Sequence, residues 1–360
     1  MLHLIAHRDS VMRLIASMLL LCLSLLGLPA QAETVNDLYQ VREPVASQQP
    51  EERNQALVRA LDTLVLRLSG DPKAVQNPAL EALRKDPQQL ISQYGYDGQT
   101  LVVDFDPVTT ERVLRQAGVP LWSANRPAIL AWWLNRSGEG ASLVGDGQEA
   151  AAPLRQAAQN RGLPLRLPLA DLEEQLLATP EQLTSAQPGA LTQASERYDA
   201  DALLAVDASE ADGKWQAQWR LWLGDSREQG TAEAADNAAL ADAVLAEVSQ
   251  RLAPRFVVAP GAGQNLELEV QGADLARYAE LSRLLEPFGA RLLKVEGDRL
   301  EYRVNASPEQ LRAQLALAGL QESPPEAPAV PAPAPAPATD PQAAPAPQIV
   351  PRSNLLRFHW

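Results

Sequence analysis

The spacing of apolar positions divides the chain into three folded blocks and a tail. In the first block, "TVNDLYQVREPV" alternates, with Tyr39, Val41 and Val45 on one side of a strand. "SQQPEERNQALVRALDTLVLRLSG" carries the helical period instead. Ala56, Leu57, Ala60, Leu61, Leu64 and Leu68 form one stripe, Glu51 and Glu52 suit the N-terminal dipole, and Gly70 is a stop. "ALEALRKD" and "PQQLISQYG" predict short helices, "QTLVVDFD" a buried strand, and "PVTTERVLRQAG" a helix with a threonine near its start and Gly118 at its end.

The second block opens with "RPAILAWWLNR". Ile129, Leu130, Trp132, Trp133 and Leu134 predict a strand that is apolar on both faces, as in a sheet covered on both sides. "APLRQAAQNRG" is a helix ending at Gly162, "LPLRLPLAD" is extended, and "DLEE" (Asp171 to Glu174) is the acidic first turn of a helix. "GALTQASERYDA" is helical and "DALLAVDAS" is a second apolar strand. "KWQAQWRLWLGD" alternates strictly, with Trp215, Ala217, Trp219, Leu221 and Leu223 on one side and Gln216, Gln218, Arg220 and Trp222 on the other. A helix runs from about Asn237 to Leu252. Strands alternating with helices imply a parallel-rich sheet with an antiparallel edge.

The third block reads βαββα. "NLELEVQG" is a strand and "DLARYAELSRLLEPFG" a helix with Leu275, Tyr278, Leu281 and Leu285 inward. "ARLLKVEGDRLEYRVNA" is a hairpin turning at Gly297-Asp298, and "SPEQLRAQLALAG" is a helix with a Ser307/Gln310 capping box. This order predicts a three-stranded sheet with helices on one face. A Pro/Ala-rich run follows, of a composition that cannot fold. It is succeeded by "LLRFHW", where Leu356, Phe358 and Trp360 alternate with Arg357 and His359 as in a short strand. Three readings are open for it: folding back onto an open edge of the chain's own sheet, adding to a partner's sheet, or disorder.

Near the start, Arg13 precedes an apolar run from Leu14 to Leu28, shorter than a bilayer span, and then Pro29-Ala30-Gln31-Ala32. This is the pattern of a Sec-type signal peptide cleaved after Ala32, fitting best if translation starts at Met12 rather than Met1, and the expected location is the periplasm. Cys22, the only cysteine, lies inside that run after Leu21, where a lipoprotein signal needs a small residue, so lipidation is not expected. The expected organisation is α/β and α+β. Residues 1–32 are the signal peptide, 33–122 a mixed α/β domain, 123–256 an α/β domain, 262–322 the βαββα domain, 323–351 a disordered linker and 352–360 a strand-like hook.

The stretch "AGVPLWSANRPAILAWWL" resembles a family of uncharacterised proteobacterial envelope proteins, domain of unknown function 2066. The "QALVRALDTLVLRLSG" helix, the Gly118 to Trp122 turn, Arg126-Pro127 and the βαββα block carry the resemblance. It implies an envelope location and this fold. It implies no catalytic residue, because the family has no settled activity.

The chemistry-bearing residues narrow the reading further. With 360 residues and a formal net charge of −14, the chain lacks the clustered Lys/Arg that a nucleic-acid surface needs. Of its three histidines only His359 follows the expected cleavage site. A Ser-His-Asp triad, a Cys-His pair and the usual zinc and iron sites are therefore out of reach, and no cofactor or metal is expected. Asp104 and Asp106, two apart on a strand, point the same way and are the candidate carboxylate pair of an enzyme. The plainer role is a strand end turning into a helix. Trp222, among polar residues, is the candidate contact for a cell-wall ligand or a protein, and Arg126 bonds either a neighbouring carbonyl or acid or a ligand. Leu356, Phe358 and Trp360 are the candidate contacts of the tail. The expected function is a non-catalytic envelope scaffold or accessory factor with protein partners. A tryptophan-based glycan or small-molecule module and a carboxylate-dependent enzyme are the alternatives.

Overall fold

The computed structural model describes residues 33–34, 37–258, 264–323 and 354–360. The expected signal peptide and, apart from Ser323, the Pro/Ala linker lie outside the described residues. The described residues belong to one unit, Ala32–Trp360.

In the first block the strands are β1 (Glu33–Thr34), β2 (Gln40–Pro44), β3 (Ile91–Asp97) and β4 (Thr100–Phe105), with helices α1 (Pro50–Ser69) and α2 (Pro107–Gln116). β2, β4 and β3 form an antiparallel sheet in that order, and α1 packs on it. The whole predicted stripe of α1, Ala56 to Leu68, is buried, and this burial rather than propensity holds the helix. The helix "PQQLISQYG" is not there: Pro87–Leu90 is one 3-10 turn, and Ile91 onward is strand. The missed signal is Asp97-Gly98. Gly98 has φ 60° and opens a two-residue loop, and pairing with β4 then overrides helical propensity.

Gly70 ends α1 with φ 65°, its N–H bonded to Leu66 O at 2.7 Å. A Cβ there would lie 2.3 Å from the Cβ of Ala253, so strain and clash coincide. Gly118, with φ 77°, faces open space. Thermal melting will show Gly70→Ala costing about 2 kcal/mol or more and Gly118→Ala only about 1 kcal/mol.

The second block contains β5 (Asn125–Arg126), which pairs β1, then β6 (Ile129–Ser137), β7 (Gly140–Leu143), α3 (Ala151–Arg161), β8 (Leu165–Arg166), α4 (Leu172–Leu177), α5 (Pro180–Leu183), α6 (Ala190–Ser195), β9 (Ala202–Ala211), β10 (Lys214–Leu223), β11 (Ser226–Ala234) and α7 (Asn237–Phe256). The sheet order is β11-β10-β9-β6-β7, with β8 beside the start of β6. β6 runs parallel to β9 and β8, but the other pairs are antiparallel. The sheet is therefore mixed rather than parallel-rich. β7 and β11, which supply two of the antiparallel pairs, have few apolar residues to reveal them. β6 is buried on both faces as expected. Ile129, Ala131 and Trp133 join the core with α3 and α7, while Leu130, Trp132 and Leu134 meet the segment carrying α4 to α6.

The third block contains β12 (Gln264–Gln271), α8 (Leu275–Leu285), β13 (Arg291–Glu296), β14 (Arg299–Ala306), α9 (Pro308–Leu317), β15 (Gln321–Glu322) and β16 (Leu355–His359). The hairpin at Gly297-Asp298 and the Ser307/Gln310 capping box are both present. Leu281 and Leu285 are buried, but Leu275 is 84% exposed and Tyr278 lies at the surface, because only the second half of α8 covers the sheet. The sheet has five strands, not three, in the order β13-β14-β12-β16-β15. The strand-like end of the chain docks in cis, parallel to β12 and antiparallel to β15.

Two arginines join the first block to the second. Arg67, on α1, gives its Nη1 to the carbonyls of Gln40 at 2.6 Å and Leu38 at 3.0 Å within the first block, and its Nε to Asn160 O of α3 at 3.5 Å. Arg126, at the end of β5, gives Nε to Ser123 O at 3.1 Å and Nη1 to Arg161 O and Gly162 O at 3.0 and 3.1 Å. Its Nη2 bonds Arg67 O at 2.8 Å and Trp122 O at 3.2 Å. Arg67 O belongs to the last turn of α1, and Arg161 O and Gly162 O to the end of α3. The negative ends of two helix dipoles thus take the place of an acid. The guanidinium lies 4.4 Å from the centre of the Trp122 ring, which stacks on Phe256 of α7. Burial lowers the pKa of Arg67 to about 10 and that of Arg126 to about 9, so both are cations at neutral pH.

Candidate functional site

Between β8 and β9 the chain crosses the second face of the middle sheet, carrying α4, α5 and α6. Sequence sets the start of α4 through a capping box: Asp171 accepts from Glu174 N at 3.0 Å, and Glu174 accepts from Asp171 N at 3.2 Å. Ala170, just before the cap, is held at φ 56°, a conformation few residues other than glycine adopt. Its carbonyl accepts from the Gln175 amide at 2.6 Å.

The helix is turned inside out. Its buried side chain is Glu174, at 2% exposure, while Leu172 and Leu176 are 73% and 72% exposed, and Leu169 ahead of them is 67% exposed. Glu174 receives hydrogen bonds from Arg197 and from the Tyr198 hydroxyl, and that hydroxyl accepts from Leu169 N at 2.8 Å. Arg197 also bridges Asp171 at 2.7 Å and lies over the Tyr198 ring. The hydrogen bond from Arg197 holds the Asp171 carboxyl below its ordinary pKa, and the two acids hold Arg197 above its own. Burial, then Glu174, pushes Tyr198 up. A polar network therefore orients α4 so that Leu172 and Leu176 face water, while Leu177 packs against the core beneath. Glu174→Ala will free the helix: faster proteolysis and amide exchange across 169–177 are expected, with exchange in β6 unchanged.

A shallow cavity of about 230 Å³ lies beside this layer, between the Leu183–Thr184 turn and the open polar face of β10 and β11. Gln218, Arg220, Gln229 and Thr231 line it, with Arg220 Nη1 donating to Gln229 Oε1 at 2.7 Å. Among the described residues, no group of three or more His, Cys, Asp and Glu is placed to hold a metal ion. No described helix is long and apolar enough to cross a membrane.

Residues 32–123 match a family model described as a domain of unknown function, DUF8605. No curated protein and no solved structure matches the chain. The family expected from the sequence, domain of unknown function 2066, is not the one matched. The matched span is the first block with its exit turn and stops short of Arg126-Pro127, instead of covering most of the chain.

The residues singled out from sequence are scattered. Trp222, expected on the polar outer face, is 9% exposed and packs in the core beneath α4 to α6. Trp122, Trp132, Trp133 and Trp219 are fully buried too. Arg126 takes the carbonyl-bonding role and is inaccessible. Phe358 is buried in the third core, Leu356 and Trp360 pack against it, and Arg277 lies over the Trp360 ring at 5.3 Å. Asp104 lies between two glutamines, accepting from Gln40 and Gln93 at 2.8 Å each. Asp106 is beyond the strand end and caps α2 by accepting from Thr109 N at 2.8 Å; the Thr109 side chain first, and then this backbone N–H, lower its pKa. The two carboxylates thus have separate duties, and it is Asp106 rather than a threonine that caps α2.

The leucine face was not legible. Leu169, Leu172 and Leu176 have ordinary amphipathic spacing, which reads as core. Only Arg197 and Tyr198, more than twenty residues downstream, turn the glutamate inward. The available signal was the lack of any Lys, Arg or His between Leu167 and Glu196.

Proposed function

We propose that this chain is a non-catalytic periplasmic protein that acts as an envelope scaffold or accessory factor through protein contacts. The observation that carries the reading is the outward leucine face of α4. Leu169, Leu172 and Leu176 put three exposed leucines within eight residues, and apolar surface marks contact sites where it is contiguous. The signal-like sequence ending at Ala32 supports the proposed location. A photo-cross-linker at exposed Gln175, in cells, is the test. Adducts with other envelope proteins are expected, and Leu172→Ser/Leu176→Ser should abolish them at unchanged protein level. If the adducts persist in that variant, the leucine face is not the contact.

The polar cavity under Thr184 favours a second reading, a small-molecule or glycan module. Its amide, hydroxyl and guanidinium groups suit a hydroxylated ligand. Titration with cell-wall sugars and muropeptides, with Arg220→Ala as control, decides it: saturable binding lost in the variant supports it, and no binding ends it.

A further inference from the structure

We infer that the α4 leucine face receives a basic amphipathic helix of another protein, with an apolar stripe flanked by Lys and Arg. This rests on the reading of that face as a contact surface and adds the chemistry of the partner. Leu172 and Leu176 are one helical turn apart on α4, a pair of apolar knobs with the spacing a facing helix presents, and Leu169 adds an exposed apolar side chain from the segment before the cap. The charge around them is predominantly acidic: Arg197 is held by Asp171 and Glu174, and Arg136 of β6 acts on Glu181. From Leu167 to Glu196 the chain contains Asp171, Glu173, Glu174, Glu181 and Glu196 and no basic residue. Asp171 and Glu174 are spent on Arg197. Glu173, exposed on α4 itself and within a turn of Leu176, forms no ion pair among the described residues.

That charge selects among occupants. A second copy meeting this face about a two-fold axis would bring Glu173 towards Glu173 and leave both uncompensated. An anionic bilayer would be repelled by the same acids. A helix with basic flanks neutralises Glu173 while its stripe covers the leucines. Three leucines are less than a standard interface supplies, so the contact is weak and exchanging.

The test uses the full chain and fluorescence anisotropy with three synthetic peptides of about 18 residues, five helical turns. One is a Leu/Lys amphipathic helix, one a Leu/Glu helix with the same stripe, and one a scrambled Leu/Lys sequence without a stripe. The Leu/Lys helix should bind saturably, roughly tenfold more tightly than either other peptide. Leu172→Ser/Leu176→Ser should weaken it by roughly tenfold, and Glu173→Gln by roughly threefold with a shallower salt dependence. Thermal melting of each variant should match the parent, because these side chains are exposed. Equal binding of the scrambled peptide, or indifference to the leucine pair, overturns the inference. Equal binding of the Leu/Glu helix overturns the charge selection and leaves the leucine contact of the proposed function standing. Cross-links in cells that persist in the leucine variant would sink that contact instead. Dimers that vanish in the leucine variant, or leucine-dependent binding to anionic vesicles, would each name a different occupant and overturn the inference.

Discussion

Arg126→Ala will lower the melting temperature by roughly 10 °C, corresponding to about 4 kcal/mol. All five N–H groups of this side chain are used, and each goes to a backbone carbonyl: Ser123, Arg161, Gly162, Arg67 and Trp122. Removing it leaves these acceptors facing a cavity that is too buried for bulk water to enter freely, at about 1 kcal/mol each for the net hydrogen bond. Among the described residues the guanidinium forms no ion pair, so the loss is one of hydrogen bonds and strands no partner charge. Arg126→Lys should recover only part of the loss, because an ammonium has three donors and no planar fork. Gly162 belongs to the same cluster. A Cβ there, at φ 62°, would stand 2.8 Å from Arg67 Cγ and 2.9 Å from Arg126 Nη1. An Arg126→Ala melting curve superimposable on the parent's would show that the carbonyl cage does not hold the first two blocks together.

Phe358→Ala will destabilise the third block by about 3 kcal/mol. Phe358 is 2% exposed, lies opposite Val270 in the parallel ladder, and packs among the apolar residues of β12, β14, α8 and α9. Its loss leaves a cavity in the middle of a five-stranded sheet. His359→Ala is the control: the imidazole is half-exposed, its Nδ1 lies 2.9 Å from the Ser323 hydroxyl, and about 1 kcal/mol or less is expected. Urea unfolding followed by amide exchange of β12 measures both. If β12 exchanges equally in Phe358→Ala and the parent, the final strand is not part of that core. Deleting Asn354 to Trp360 would accordingly unfold or loosen this block, so the leucine pair in α4 is the cleaner probe of partner binding.

How far the fold is legible in sequence depends on where each element's information lies. α1, β6, β10 and the hairpin at Gly297-Asp298 carry their own patterns and are placed correctly from those patterns. β11 has alanines, a glycine and charges, and is a strand because β10 pairs along its whole length. β3 was hidden by helix-forming residues before a turn glycine. Register, sheet order and the orientation of α4 depend on partners tens of residues away, and no local window contains them. The tryptophans show the same limit: alternation correctly divides Trp219 from Trp222, but nothing local reveals that α4 to α6 cover the second face as well.

The cis position of β16 changes what the Pro/Ala segment is. Ser323 N bonds Arg357 O at 2.8 Å and Glu267 N bonds Asn354 O at 2.9 Å, so both ends of residues 324–353 are fixed to the same sheet. The chain leaves this sheet at Ser323 and is back in it by Asn354, so the segment's two neighbours belong to one ladder. A single cut anywhere along it would leave two polypeptides still joined by the β12–β16 and β15–β16 ladders and the side chain of Phe358. Such a nicked molecule would run as one species in a native gel and as two in a denaturing one.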